Sequence, residues 1–379
     1  MYSLQPDNLD AIRHHWQHRP LYIPTAFADF VDPLEPDEVA GVALEEAASS
    51  RVVIQESGQW RAEPGPIEDF SRFGDQGWQL LVQAVNHFVP AAAELAYAFR
   101  FLPDWRFDDL MVSFAVPGGG VGPHIDNYDV FIIQGQGRRR WQVGDRGRHR
   151  PRPGHQTMAL VEDFDAIIDV EMAPGDLLYI PPGYPHCGQT LAPSLSYSVG
   201  FRAPSQQELI GQLADHLQDQ DLGNTRFVSS TEPTQPQRIS LSHQQGMAKL
   251  INQLMADPDT LGPMLGTLLS QNRFELDLQP PQPPLTLSQL QHALQHGAHL
   301  QRVGGLKCLQ LEGDDSSLFL DGQRWALPGS LGNAATDLAR YHRLEGHRLT
   351  PLLACPKAAD ELLQWVNQGY WYLDDDDRD

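Results

Sequence analysis

Gly122-Pro123-His124-Ile125-Asp126 sets an imidazole and a carboxylate two residues apart. In extended backbone both project from one face, so His124 and Asp126 can hold one metal ion between them. A three-letter pattern of this kind arises often by chance and carries little weight alone. A further donor raises it: the apolar run Leu177-Leu178-Tyr179-Ile180 ends in Pro181-Pro182-Gly183-Tyr184-Pro185-His186, a turn that presents His186 at the end of a strand. In an antiparallel barrel that end can lie opposite the strand of His124.

Two imidazoles and one carboxylate on one side of a metal leave up to three positions open, the arrangement of non-haem Fe(II) centres that bind a cosubstrate and then oxygen. Arg138-Arg139-Arg140-Trp141-Gln142-Val143 supplies a second clue. In a strand Arg139 shares its face with Trp141 and Val143, so Arg139 is expected to point inward. A buried guanidinium demands an anion, either a protein carboxylate or the carboxylate of a ligand.

The elements that must position these residues are strands. Segments 106–116, 129–133, 138–143, 166–171, 176–180 and 194–202 are rich in β-branched and aromatic residues and are separated by Gly and Pro turns, the pattern of an antiparallel barrel or jelly roll. Helices are expected at 7–18 and 76–88. The turn Gly118-Gly119-Gly120 reads as flexible, next to the metal strand. At Ser205-Gln206-Gln207-Glu208 a capping box opens a helix running to 222, followed by helices at 241–254 and 258–274. Three such helices rarely make a core of their own, so they are expected to pack on the first domain or on a second copy. Gln279-Pro280-Pro281-Gln282-Pro283-Pro284 is a stiff linker. Beyond it a helix at 288–295, strand-like segments at 300–311 and 317–327, helices at 333–341 and 357–367 and a short strand at 369–373 suit a winged helix, before the acidic tail 374–379. Basic residues are sparse there, so direct nucleic-acid binding is not expected.

Composition narrows the class. The chain has 379 residues, enough for two or three domains. Its 27 Lys plus Arg against 49 Asp plus Glu give a formal charge of −22, which repels nucleic acid and speeds encounter with a basic partner. No apolar run reaches the length of a membrane span, and the N-terminus lacks the pattern of a secretory signal, so a cytoplasmic protein is expected. Cys187, Cys308 and Cys355 suggest neither a disulfide framework nor a thiolate zinc site. His14, His15, His149 and His155 lie in polar stretches and read as surface residues.

With the His124-x-Asp126 pair, the Pro-Pro-Gly-Tyr-Pro-His186 turn and the strand Val130-Phe131-Ile132-Ile133-Gln134-Gly135-Gln136-Gly137-Arg138-Arg139-Arg140-Trp141 in place, the chain resembles the JmjC-type Fe(II)- and 2-oxoglutarate-dependent oxygenases. It is similar in particular to the bacterial ribosomal oxygenases that hydroxylate an arginine of a large-subunit ribosomal protein, the one numbered sixteen. The resemblance spans essentially the whole chain. It implies a double-stranded β-helix (JmjC, cupin-like) core over 1–203, a helical dimerisation region over 204–278 and a winged-helix-like domain over 285–379. It implies His124, Asp126 and His186 as iron ligands and Arg139, fifteen residues after His124, as the partner of the distal carboxylate of 2-oxoglutarate. Ser113 matches a position expected to hydrogen-bond that cosubstrate.

The resemblance also implies O2 as second cosubstrate, succinate and CO2 as products, a basic ribosomal protein as substrate, and a homodimer. Asp109 shares a strand face with Ser113, and a substrate guanidinium wants a carboxylate and an aromatic ring, which Asp109 and Tyr128 supply. Ser196 and Ser198 either line the cosubstrate pocket or face water. Iron ligands do not determine the substrate, so hydroxylation or demethylation of another residue, and a catalytically silent cupin-like scaffold, remain open alternatives.

Overall fold

The computed structural model describes residues 2–152, 159–229, 237–328, 331 and 333–374. His155 and all of the acidic tail beyond Asp374 lie outside the described residues. The chain forms two compact units: one of Met1–Ala203 with Asn272–Gln279 and Val303–Gly305, the other of Pro204–Gln271, Pro280–Arg302 and Leu306–Asp379.

The first unit runs α1 (Pro6–His15), β1 (Leu21–Ile23), α2 (Pro36–Val42), β2 (Ser50–Glu56), β3 (Gln59–Pro64), β4 (Trp78–Val82), α3 (Val85–Phe88), α4 (Pro90–Tyr97), β5 (Phe107–Ala115), β6 (His124–Ile125), β7 (Asp129–Gln134), β8 (Arg138–Gly144), β9 (Ala166–Met172), β10 (Leu177–Ile180), β11 (Pro185–Ala192) and β12 (Ser194–Phe201). The strands form two antiparallel sheets, ordered β1-β10-β7-β12-β5-β4-β2-β3 and β6-β11-β8-β9. From β5 onward the chain passes back and forth between them, the winding of a double-stranded β-helix.

Alternation along the strands builds two cores. Phe131 and Ile133 of β7, with Leu177 and Tyr179 of β10, pack outward under Ile12 of α1, Val39 of α2 and Leu95 of α4. Val130, Ile132, Leu178 and Ile180 of the same strands point inward and meet Trp141, Val143 and Met172 of the smaller sheet. Burial on both faces explains why β7 and β10 read as unbroken apolar runs.

Two expectations fail in this unit. The helix expected at 76–88 is strand β4 over its first half, with all five residues buried, and only Val85–Phe88 is helical. Hydrogen bonding to β2 on one side and β5 on the other overrides the helical spacing of its apolar residues. The triple-glycine turn is not a loose loop: Gly118 donates to the Thr190 carbonyl at 2.9 Å and Thr190 to the Gly119 carbonyl at 3.1 Å, and a Cβ at Gly120 would lie 2.3 Å from the Gly188 carbonyl oxygen. Glycine is there for close backbone approach. The β2–β3 hairpin turns at Ser57 and Gly58, both at positive φ, and the sequence pattern does not announce it.

The second unit contains α5 (Gln206–Asp219), α6 (Leu241–Met255), α7 (Pro258–Ser270), α8 (Leu287–Gln295), α9 (Ala334–Arg340), α10 (Gly346–Ala354) and α11 (Pro356–Gln368) with two three-stranded sheets. Ser205 caps α5 in the expected box. Helix α7 stops at Ser270, short of the expected Phe274, because Asn272–Gln279 leaves it to join the first unit. Helix α10, which carries Pro351 inside it, is not legible from the pattern.

Candidate metal and substrate site

Strand β6 is only two residues long, and its pairing with β11 sets His124 directly opposite His186, with ring centroids 4.2 Å apart. Each ring is oriented in the same way. Nδ1 of His124 lies 2.9 Å from the Gly122 carbonyl and Nδ1 of His186 lies 3.1 Å from the Tyr184 carbonyl. A proton on Nδ1 committed to a carbonyl leaves the Nε2 lone pair of each ring free. Both Nε2 atoms face Asp126, whose Oδ2 is 3.6 Å from that of His186 and 4.0 Å from that of His124.

The three donor groups lie within 4.8 Å of one another. Gly183, at φ +85°, closes the Pro-Pro-Gly turn and donates its N–H to the Asp126 carbonyl at 2.9 Å, tying the two ligand-bearing segments together. Burial, and then the neighbouring His124, pushes the His186 pKa down to about 4, so the imidazole is neutral, the form that binds a metal. Two imidazoles and a carboxylate fit a divalent iron.

Of the three consecutive arginines only Arg139 is buried, as its strand face requires. The residue is 2% exposed. Nε donates to Ser194 Oγ at 2.8 Å, Nη1 to Ser113 Oγ at 2.8 Å, and Nη2 to the Ser113 and Ser194 carbonyls at 3.0 and 3.1 Å. Every acceptor is neutral, and among the described residues no carboxylate pairs with it. Burial alone lowers its pKa to about 9.

Among the described residues nothing supplies the anion that such a cation calls for. Thr190, directly across the β8–β11 pair, is 2% exposed and its hydroxyl has no hydrogen-bond partner. Gln134 Oε1 is likewise buried and unpartnered. Ser196, opposite both Ser113 and Gln134, is buried with its hydroxyl 3.0 Å from Ser113 Oγ, so it lines this polar chamber, whereas Ser198 is half-buried between Met111 and Ile132. Sequence reasoning missed Thr190 and Ser194. The available signal was alternation along the strand, since Thr190 shares the face of His186 four residues earlier.

Asp109 is buried, and its Oδ2 accepts the Ala84 N–H at 3.0 Å. It meets Tyr128 at Gly200, where a Cβ would lie 3.5 Å from Asp109 Oδ1 and 3.8 Å from Tyr128 Cε2. Burial, and then the charge of Asp108, raises the Asp109 pKa to about 7. Burial and the carboxylates of Asp126 and Asp109 raise that of Tyr128. The structure therefore brings His124, Asp126 and His186 together, sets Arg139 against Ser113, and sets Asp109 near Tyr128, with Asp126 and Tyr128 in the turn between β6 and β7 rather than on a strand. His14 is exposed, and His15 and His149 are half-buried and bonded to local backbone carbonyls, away from this site.

Comparison with known proteins adds an independent line. A JmjC domain model matches residues 94–209, and a ROXA-like winged-helix model matches residues 253–372. The chain is 32% identical to a probable ribosomal oxygenase of Haemophilus influenzae over 289 residues, 70% of this chain and 69% of the relative. A solved structure of YcfD, a ribosomal oxygenase from Escherichia coli, in complex with cobalt and 2-oxoglutarate, is similar with a TM-score of 0.91 at 40% identity, covering 99% of this chain and 100% of that one. With ribosomal protein uL16 3-hydroxylase of Escherichia coli K12 the identity is 41% over 375 residues, 98% of this chain and 99% of the relative. Identity at that level is sustained over nearly the full length of both chains, and the chain belongs to the JmjC-type ribosomal oxygenases.

Proposed function

We propose that this protein is an Fe(II)- and 2-oxoglutarate-dependent dioxygenase that hydroxylates an arginine of the large-subunit ribosomal protein uL16, with O2 as its second cosubstrate. The observation that carries the reading is a two-histidine, one-carboxylate cluster sharing an inner sheet face with a buried arginine that has no carboxylate partner among the described residues. His124, Asp126 and His186 hold the metal through their converging Nε2 and carboxylate atoms. Fe(II), when bound, supplies the oxidative chemistry, coupling O2 and 2-oxoglutarate to one hydroxylated C–H bond, succinate and CO2.

The residues of the chain position the reactants. Arg139 and Ser113 take the distal carboxylate of 2-oxoglutarate, and Thr190 donates its spare hydroxyl proton to the same group. Asp109 accepts hydrogen bonds from the substrate guanidinium while Tyr128 offers it a ring face. Val130, Ile132, Trp141 and Val143 keep water from the inner core.

A net charge of −22 supports a basic protein substrate and disfavours direct nucleic-acid binding. Ile210, Met247 and Ile251 are exposed on α5 and α6, which supports residues 204–278 as the contact of a homodimer. Free thiols at all three cysteines and a ribosomal substrate support a cytoplasmic site of action. No helix of the described residues is long and apolar enough to cross a membrane.

The test is intact-mass spectrometry of uL16 after incubation with the enzyme, Fe(II), 2-oxoglutarate and air, beside His124→Ala. One added oxygen on an arginine, absent with the variant, is the expected result. Succinate without added oxygen would discard the substrate, and neither product would discard the oxygenase.

A further inference from the structure

Two consecutive carboxylates, Asp108 and Asp109, lie near the start of β5, and both side chains are almost removed from solvent, 7% and 8% exposed. One cation reaches both. Arg273, in the Asn272–Gln279 segment of the same unit, donates Nε to Asp108 Oδ1 at 3.1 Å and places Nη2 2.6 Å from Asp108 Oδ2, a two-pronged pair. The same Nη2 is 3.8 Å from Asp109 Oδ1, beyond hydrogen-bond distance. The fork is held in place: the Arg273 guanidinium stacks over Phe274 at 4.2 Å, His87 Nδ1 contacts the Glu275 carbonyl at 2.8 Å, and Leu276 is buried.

We propose that Arg273 is a specificity-determining positioning residue, which by engaging Asp108 with both prongs leaves Asp109 as the one anionic partner for a cationic substrate side chain. The inference rests on the reading of Asp109 as the substrate's partner. Two carboxylates buried one residue apart do not both stay ionised unless one is neutralised, because each raises the cost of the other's charge. The groups that face Asp109 are Asp108 on its own strand, the Ala84 N–H ahead of α3, Arg273, Arg51 on β2 and Tyr128 between β6 and β7. Burial and Asp108 push its pKa up, while the Ala84 N–H, Arg273 and Arg51 pull it down. Without Arg273 the balance tips toward a neutral Asp109, and an incoming guanidinium meets an acid in place of a carboxylate.

The test is steady-state kinetics of the full-length enzyme on a uL16 peptide carrying the target arginine, from pH 6 to 8.5. R273Q is expected to raise the peptide KM about tenfold at pH 7, a loss of about 1.4 kcal/mol. Its kcat and its KM for 2-oxoglutarate should stay within about twofold, and the acid limb of kcat/KM should move up by roughly one pH unit. The double variant D108N/R273Q should recover most of the loss, since no uncompensated charge is left beside Asp109. A peptide KM and pH profile unchanged in R273Q, a KM that falls, or a double variant as impaired as R273Q would each overturn the proposal, the last by reducing Arg273 to a tether.

If R273Q does not fold, D108N carries the test alone: its acid limb should move to lower pH, and an unmoved limb overturns the idea. D109N separates the two levels. A normal peptide KM in D109N removes Asp109 from the substrate site, whereas an impaired D109N beside a normal R273Q removes only the role of Arg273.

Discussion

Thr190 faces Arg139 across the β8–β11 pair, and among the described residues its buried hydroxyl has no partner and the buried guanidinium has no carboxylate. Each is an unfavourable burial alone, and together they support the proposed seat for the distal carboxylate of 2-oxoglutarate. Thr190→Val keeps the shape and removes the orphan. The apoenzyme should melt no lower than wild type, while KM for 2-oxoglutarate rises about tenfold or more, in line with the roughly 1.5–3 kcal/mol of a hydrogen bond to a charged group. A lower melting temperature with an unchanged KM would give Thr190 a structural role only.

Arg139→Met tests the same chamber from the other side. Removing a buried charge offsets the loss of its four hydrogen bonds to Ser113 and Ser194, so the variant apoenzyme should stay folded with a melting temperature near wild type, yet lose about 3–5 kcal/mol in 2-oxoglutarate binding. Calorimetric titration of the variant with Mn(II) and 2-oxoglutarate reads this directly, and affinity within a few-fold of wild type would place the cosubstrate carboxylate elsewhere.

Asp109 makes stability depend on pH. Its folded pKa of about 7 stands above the ordinary 3.8, so between those values the folded chain binds the proton more tightly than the unfolded one. Its contribution to stability is therefore lost as pH rises through that window. Asp109→Asn, neutral throughout, should be stabilised relative to wild type at pH 8 by on the order of 1–3 kcal/mol and show little gain at pH 4. Chemical denaturation at the two pH values checks the sign.

Gly188 leaves room for an indole. A Cβ there would lie 2.9 Å from the nearest ring carbon of Trp141, which is itself 6.3 Å from the His186 ring. Gly188→Ala should cost about 1–3 kcal/mol by overpacking and displace Trp141 beside the metal ligands, lowering turnover. A wild-type melting temperature would show that the strand yields without strain.

Met247 and Ile251 stand one turn apart on α6, 45% and 58% exposed. On the proposed homodimer, glutamate at both should leave a monomer of the 42.3 kDa chain in sedimentation at micromolar concentration, with the metal site intact. A wild-type protein already monomeric there would remove the dimer.

Residue type and local period by themselves determine much of this protein. His124 and Arg139 can be placed on strand faces because side chains alternate with a period of two, and the capping box at Ser205 marks a helix start because its hydrogen bonds are local. Register, by contrast, is a property of two segments brought together. That His186 lies opposite His124, that Thr190 lies opposite Arg139, and that Arg273 returns from beyond three helices to neutralise Asp108 are long-range pairings with no local trace. Strand β4 shows the same limit, since neighbours on both sides claim its backbone bonds against its own helical spacing. Local pattern names the groups able to do chemistry, and only tertiary contact decides which of their charges and hydroxyls remain unpaired, because burial and pairing are set by what the rest of the chain lays against them.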